Sequence, residues 1–179
     1  GTGGHVYPGI AIARALEKKD PNIEIHFVGT KEGLETKIIP RENFPLHLIF
    51  GGKLNFSGNP LLKLKTLIKL PFGFLQSAKL ILKYKPILVL GVGGYASGPF
   101  VLTAALLGFK TAIWEPNALP GMANRWLSRF VKKCFVVFEE SKSLLNNANV
   151  IVAGMPIRAE IEILSKPQAP KTEFHILHY

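Results

Sequence analysis

Residues 86–109 read Pro-Ile-Leu-Val-Leu-Gly-Val-Gly-Gly-Tyr-Ala-Ser-Gly-Pro-Phe-Val-Leu-Thr-Ala-Ala-Leu-Leu-Gly-Phe, without one charged side chain. At 24 residues the run is long enough to cross a bilayer as a helix. Its centre is not built for that. Gly91-Val92-Gly93-Gly94-Tyr95-Ala96-Ser97-Gly98-Pro99 packs four glycines and a proline into nine residues. In lipid such a stretch would break the helix and leave backbone polar groups unpaired. The run parses instead as a buried strand (residues 87–90), a glycine loop, and a buried helix (residues 99–107). Strand, glycine loop and helix in that order form the repeating unit of a parallel α/β sheet.

The same alternation extends in both directions. Towards the start, residues 8–19 read as a helix opened by Pro8, with Ile10, Ala11, Ala15 and Leu16 on one face. Residues 24–28 and 46–50 read as strands flanking a short helix at 34–41. A Gly/Asn/Ser loop (51–59) leads into a Lys/Leu helical region at 60–84, which Pro71 and Gly73 are expected to interrupt. Beyond the opening stretch, strands are expected at 111–114, 134–138 and 149–152, with a helix near 121–130. Short strands alternating with helices predict an α/β fold, a Rossmann-like, doubly wound parallel sheet.

Both ends are unusual for that fold. A glycine loop follows a buried strand in this architecture, yet the sequence opens on the loop, Gly1-Thr2-Gly3-Gly4-His5. Lys166-Pro167-Gln168-Ala169-Pro170-Lys171 reads as a linker, and residues 173–179 begin what reads as a new strand. The expected organisation is one domain over residues 1–164 with its first strand missing. Residues 165–179 are then a linker and the start of a second, absent domain.

The 179 residues carry 22 Lys+Arg against 12 Asp+Glu, a formal charge of +10. The 47% hydrophobic content excludes disorder, and the single cysteine, Cys134, excludes a disulfide-built scaffold. The excess charge is concentrated. Residues 43–114 contain eight lysines and no Asp or Glu, interleaved with Leu, Ile and Phe. Lysine among bulky apolar residues suits a lipid headgroup layer, and no RNA-binding motif is present, so a nucleic-acid partner is not expected.

Four clusters carry the candidate chemistry. Gly1-Thr2-Gly3-Gly4-His5-Val6-Tyr7-Pro8-Gly9 and residues 91–99 share one plan: G-x-G-G, a polar or aromatic residue, then a proline near a helix start. Glycines allow close backbone approach and helix N-termini offer free N–H groups, so each loop is either a tight connection or a cradle for phosphate. Neither loop is the dinucleotide fingerprint, since Val6 and Ala96 stand where the third glycine belongs. His5 is either a general base or a histidine bracing the loop. Trp114-Glu115-Pro116-Asn117 places a carboxylate and a carboxamide just past a strand, where α/β ligand sites form, or where they could merely cap the next helix. Gly154-Met155-Pro156-Ile157-Arg158 supplies an arginine able to neutralise an anion.

In this order the four clusters resemble the N-terminal domain of the MurG family over residues 1–158. Those enzymes add N-acetylglucosamine to undecaprenyl-linked muramyl-pentapeptide in bacterial peptidoglycan synthesis. Trp114 and Pro116 depart from the family's H-E-Q-N motif, and Met155 from its G-N-P-V-R. The resemblance implies the N-terminal half of a GT-B glycosyltransferase: an inverting enzyme with no cofactor and no metal. It acts on UDP-N-acetylglucosamine and lipid I to give lipid II. By motif, His5 is implied as the base for the muramyl 4-hydroxyl, with Glu115 as second candidate or orienting partner. Thr2, Gly3, Gly4, Asn117 and Arg158 are implied to touch the donor. Gly3, Gly4, Gly93, Gly94 and Tyr95 are implied to hold the acceptor diphosphate.

The resemblance also gives the basic stretch a purpose. Lys63, Lys65, Lys69, Leu70, Phe72, Phe74 and Leu75 are expected to contact an anionic membrane. The protein is then peripheral, on the cytoplasmic face of the bacterial cell membrane. The competing reading is a non-catalytic, membrane-bound subunit that recruits a separate donor-binding chain.

Overall fold

The computed structural model describes residues 3–51 and 60–156. The elements run α1 (Gly3–Lys19), β1 (Phe27–Gly29), α2 (Glu35–Ile38), β2 (Leu46–Leu48), α3 (Pro60–Tyr84), β3 (Val89–Gly91), α4 (Ser97–Leu106), β4 (Thr111–Glu115), α5 (Met122–Leu127), β5 (Lys133–Val136) and β6 (Val150–Val152). Every strand pairing is parallel, in two ladders: β1–β2, and β3–β4–β5–β6. The α/β fold read from the sequence is the observed one.

Two apolar cores match the two ladders. Val6, Ile10 and Ala13 of α1 pack with Ile39 and Phe44, over Phe27 and Leu46 of the small ladder. Ile81 of α3, Val101 and Leu102 of α4, and Leu127 of α5 close over Ile113 and Val136 of the large one. Helix α1 spans the boundary, because a methyl group added at Gly9 would sit 3.4 Å from Val92 and 3.5 Å from Phe27. Among the described residues, β1 and β3 each keep one unpaired edge.

Several boundaries differ from those the sequence suggests. Helix α1 begins at Gly3, so His5 lies inside its first turn and Pro8 lies one turn deeper than expected. Strand β3 starts at Val89, since Ile87 and Leu88 are 82% and 50% exposed and are not part of a buried strand. Helix α5 ends at Leu127 rather than near residue 130.

The largest difference is α3, which is continuous through Pro71 and Gly73. Pro71 is exposed, so the helix carbonyl it leaves unpaired can meet water. Gly73 is buried against the Phe50 carbonyl, which occupies the place a Cβ would take. The glycine is there for close approach, not for a break. Its own carbonyl accepts the Ser77 hydroxyl at 2.7 Å. The helix thus has a buried side with Ser77 and Ile81, and an opposite stripe of Phe72, Leu75 and Leu82 at 55%, 67% and 56% exposure. Among the described residues, no helix is long and apolar enough to cross a membrane.

Candidate functional site

In a parallel sheet the loops that follow the strands gather at the carboxyl edge, where ligand sites of open α/β folds form. Strand β3 ends at Gly91 and continues into the second glycine loop, while β4 ends at Glu115 and continues into 116–121. The first turn of α1 lies against the second loop. Gly93 has φ +100°, and a Cβ there would collide with the imidazole of His5. Only glycine lets the ring approach that backbone. Ser97 staples the loop: its hydroxyl donates to the Gly93 carbonyl at 2.7 Å, and the Gly93 N–H donates to the hydroxyl at 3.2 Å. Gly94, with φ +83°, and the exposed Tyr95 complete the turn.

His5, Val6, Phe27, Val28, Val92 and Tyr95 line a cleft between the first turn of α1 and the second glycine loop. The His5 ring is half-buried, and this desolvation holds its pKa below the ordinary 6.5, with the negative charge of Glu115 partly opposing the shift. A neutral imidazole at pH 7 can accept a proton, which suits a general base.

Glu115 has a different environment. It is 1% exposed, at the end of β4. Its Oε1 accepts the Asn117 backbone N–H at 3.0 Å and the Asn117 side-chain NH2 at 2.8 Å. Its Oε2 accepts the Gly121 N–H at 2.9 Å and the Asn124 NH2 at 3.0 Å. A carboxylate offers about four lone-pair positions, and four donors fill them. The geometry leaves no vacant lone pair for a substrate proton, so it speaks against Glu115 as a second base. As an orienting group for the 116–124 loop it is well placed. Ser141 fixes the same loop from behind, its buried hydroxyl donating to the carbonyls of Asn117 (2.9 Å) and Ala118 (3.1 Å).

The remaining candidates divide. Gly3, Gly4, Gly93, Gly94, Tyr95, His5, Glu115 and Asn117 fall on the carboxyl-edge loops or the first turn of α1. Thr2 and Arg158 lie outside the described residues, as do the side chains of Lys63, Lys65 and Lys69, although their backbone belongs to α3. Phe72 and Leu75 are exposed and Leu70 is half-buried. Phe74 is a correction: it packs against the main core and is not on the outward stripe. Asn124, Ser97 and Ser141 were given no role by the sequence, although the serine of G-x-G-G-Y-x-S-G-P stood in a quoted motif. Cys134 is buried, its thiol pushed up to about 11 by desolvation, so it is no nucleophile.

Comparisons with known proteins agree with the α/β fold. The glycosyltransferase family 28 N-terminal domain profile matches residues 1–136. A UDP-N-acetylglucosamine--N-acetylmuramyl-(pentapeptide) pyrophosphoryl-undecaprenol N-acetylglucosamine transferase of Bdellovibrio bacteriovorus is 62% identical over the whole chain and 50% of its own length. The Myxococcus xanthus protein of the same name is 44% identical over 90% of the chain and 42% of its own length. The crystal structure of Acinetobacter baumannii MurG superposes with a TM-score of 0.70 at 27% identity, covering 90% of this chain and 45% of that one. A UDP-N-acetylglucosamine 2-epimerase, at 15% identity and TM-score 0.59 over 86% of this chain and 46% of its own, shares the fold. The chain spans about half the length of the curated relatives it matches.

Proposed function

Because the chain belongs to the glycosyltransferase family 28 N-terminal domain family, we propose that it is the acceptor-binding half of an inverting N-acetylglucosaminyltransferase of peptidoglycan synthesis. Residues 1–164 form that half, and 165–179 lead into a donor-binding domain. The donor is UDP-N-acetylglucosamine and the acceptor is undecaprenyl-pyrophosphoryl-muramyl-pentapeptide.

One observation carries the reading: the half-buried His5 ring lies against the Gly93 backbone, where the first turn of α1 meets the second glycine loop. In that position the imidazole takes the proton of the muramyl 4-hydroxyl as its oxygen attacks the anomeric carbon. UDP leaves from the opposite face. The glycine backbones of both loops receive the acceptor diphosphate, and Thr2, Asn117 and Arg158 reach the donor from this side. The residues 1–164 half turns nothing over alone, because most of the donor site belongs to the other half. The test is UDP release by the full-length protein from UDP-N-acetylglucosamine and lipid I. Absence of UDP release with that acceptor would overturn the assignment.

The same reading places the enzyme on the cytoplasmic face of the cell membrane, held there by α3. The outward Phe72, Leu75 and Leu82 supply apolar contact, and Lys79 and Lys83 are exposed beside them. With Lys63, Lys65 and Lys69, five lysines at about 1 kcal/mol each give on the order of 5 kcal/mol on an anionic leaflet at low salt. Replacing Lys63, Lys65 and Lys69 by Glu is expected to abolish sedimentation of the full-length protein with phosphatidylglycerol vesicles. Unchanged sedimentation removes the membrane assignment.

A further inference from the structure

Away from the candidate site, two histidines share one hydrogen bond. His26 lies just before β1 and His47 lies in β2, with Nδ1 of the first 2.9 Å from Nε2 of the second. The two rings stack, their centroids 5.1 Å apart and their planes 20° from parallel. The other nitrogen of His26, Nε2, is 2.7 Å from Oε1 of Glu24. Tyr84, the last residue of α3, packs on both imidazoles, its ring 4.5 Å from that of His26 and 5.0 Å from that of His47. The Lys83 ammonium lies 4.8 Å from the centre of the Tyr84 ring. The charged and titratable groups facing the pair are thus Glu24, from the segment before β1, and Lys83 and Tyr84, from α3.

These bonds fix how many protons the pair can hold. The Glu24 carboxylate only accepts, so Nε2 of His26 carries a proton. When that is the only proton on His26, its Nδ1 offers a lone pair and His47 donates from Nε2. When His26 carries a second proton, Nδ1 donates and Nε2 of His47 accepts. The bond survives in both states, because one of the two facing nitrogens is bare. Protonating His47 as well points two N–H groups at each other and sets two cations side by side, with Lys83 as a third close by. Desolvation, then the neighbouring His26, then Lys83 lower the His47 pKa from the ordinary 6.5.

We infer that the His26–His47 pair is an acid-sensitive clasp, which fastens the end of α3 to the β1–β2 ladder while one facing nitrogen is bare and opens when both imidazoles are charged. The inference stands on these contacts and not on the glycosyltransferase reading. Opening frees the last turn of α3, because Tyr84 packs on both rings and cannot follow both as they part. It also reaches the cleft. His26 adjoins Phe27 and His47 pairs in register with Val28, and Phe27 and Val28 line the cleft beside His5. His47 binds its proton more weakly in the folded chain than in the unfolded one. The clasp is therefore whole above 6.5, and its stabilisation is lost as pH falls from there through the lowered value.

Hydrogen–deuterium exchange of the full-length protein tests it, with rates corrected for the intrinsic effect of pH. Between pH 7.5 and pH 5.0 the amides of residues 80–84 and 26–28 should lose about tenfold or more in protection, the mark of local opening, while β4 keeps its own. His47→Gln keeps an NH2 to donate to His26 but cannot become charged, so it should hold the protection at pH 5.0. His47→Lys carries a permanent cation and should show the open pattern already at pH 7.5. Unchanged protection in the wild type overturns the inference, and so does an equal loss in β4, which marks global unfolding. A loss that persists in His47→Gln belongs to another group and overturns it too. Histidine NMR gives a second readout, with the two rings identified by signal loss in His26→Gln and His47→Gln. One ring of the pair should titrate at least about 1 unit below the other, as interacting sites do. Two rings titrating together near the ordinary value are uncoupled and leave no clasp.

Discussion

His5→Ala in the full-length protein is expected to cut turnover by about 10²–10⁴, the range that a positioned general base contributes. The cause is chemical, and it can be separated from damage to the fold. The ring is half-buried in a cleft between the first turn of α1 and the second glycine loop, and the four donors held by Glu115 come from Asn117, Gly121 and Asn124, so those bonds do not depend on the ring. The pH dependence gives an independent check on the sign. Burial lowers the His5 pKa, so the base stays neutral, and active, down to a pH below 6.5. The acidic limb of kcat/KM should therefore fall below 6.5, with activity lost as pH drops through the lowered pKa. An acidic limb centred above 6.5 contradicts the burial seen here. A loss below tenfold in His5→Ala would move the proton transfer to another group.

How much of this was legible in the sequence depends on how local the cause is. The second glycine loop was, because glycine and proline act on their own backbone and the immediate neighbours, whereas Gly3 and Gly4 of the first motif lie in the opening turn of α1. So was the parallel sheet, because apolar runs of strand length between helical runs mark buried strands. Pro71 and Gly73 misled for the converse reason: both usually break helices. Whether they do depends on which side of α3 faces water and on the Phe50 carbonyl, 23 residues away. Phe74 was counted with Phe72 and Leu75 because composition cannot tell the two sides of a greasy helix apart, whereas packing against the core can.

The site shows the same division. His5 and Glu115 stood out by residue type and by their positions in the motifs. Their environments did not, since the donors that saturate Glu115 come from residues two, six and nine positions on. Ser141 reaches the same loop from 24 residues away. A sequence shows which groups could act as a base. The hydrogen bonds already made decide which of them has a lone pair to spare.

That difference predicts a large effect for Glu115→Ala, and the effect is on stability. Removing the carboxylate leaves two backbone N–H groups and two carboxamide NH2 groups without their acceptor. Asn124 among them is 4% exposed, so water cannot readily replace the lost partner there. Each buried donor left without an acceptor costs about 1–3 kcal/mol, so losing several together costs on the order of 3–5 kcal/mol. In a domain of this size each kcal/mol shifts the midpoint by about 2–4 °C, so thermal unfolding of this half should move down by about 10 °C. Glu115→Gln, which keeps one acceptor, should lose less. His5→Ala is expected to melt close to the wild type, so the two residues separate on a plot of midpoint against turnover. His5 moves along the activity axis and Glu115 along the stability axis. Were Glu115→Ala to melt with the wild type and still lose turnover as His5→Ala does, its four hydrogen bonds would be incidental. The carboxylate would then take the role of base.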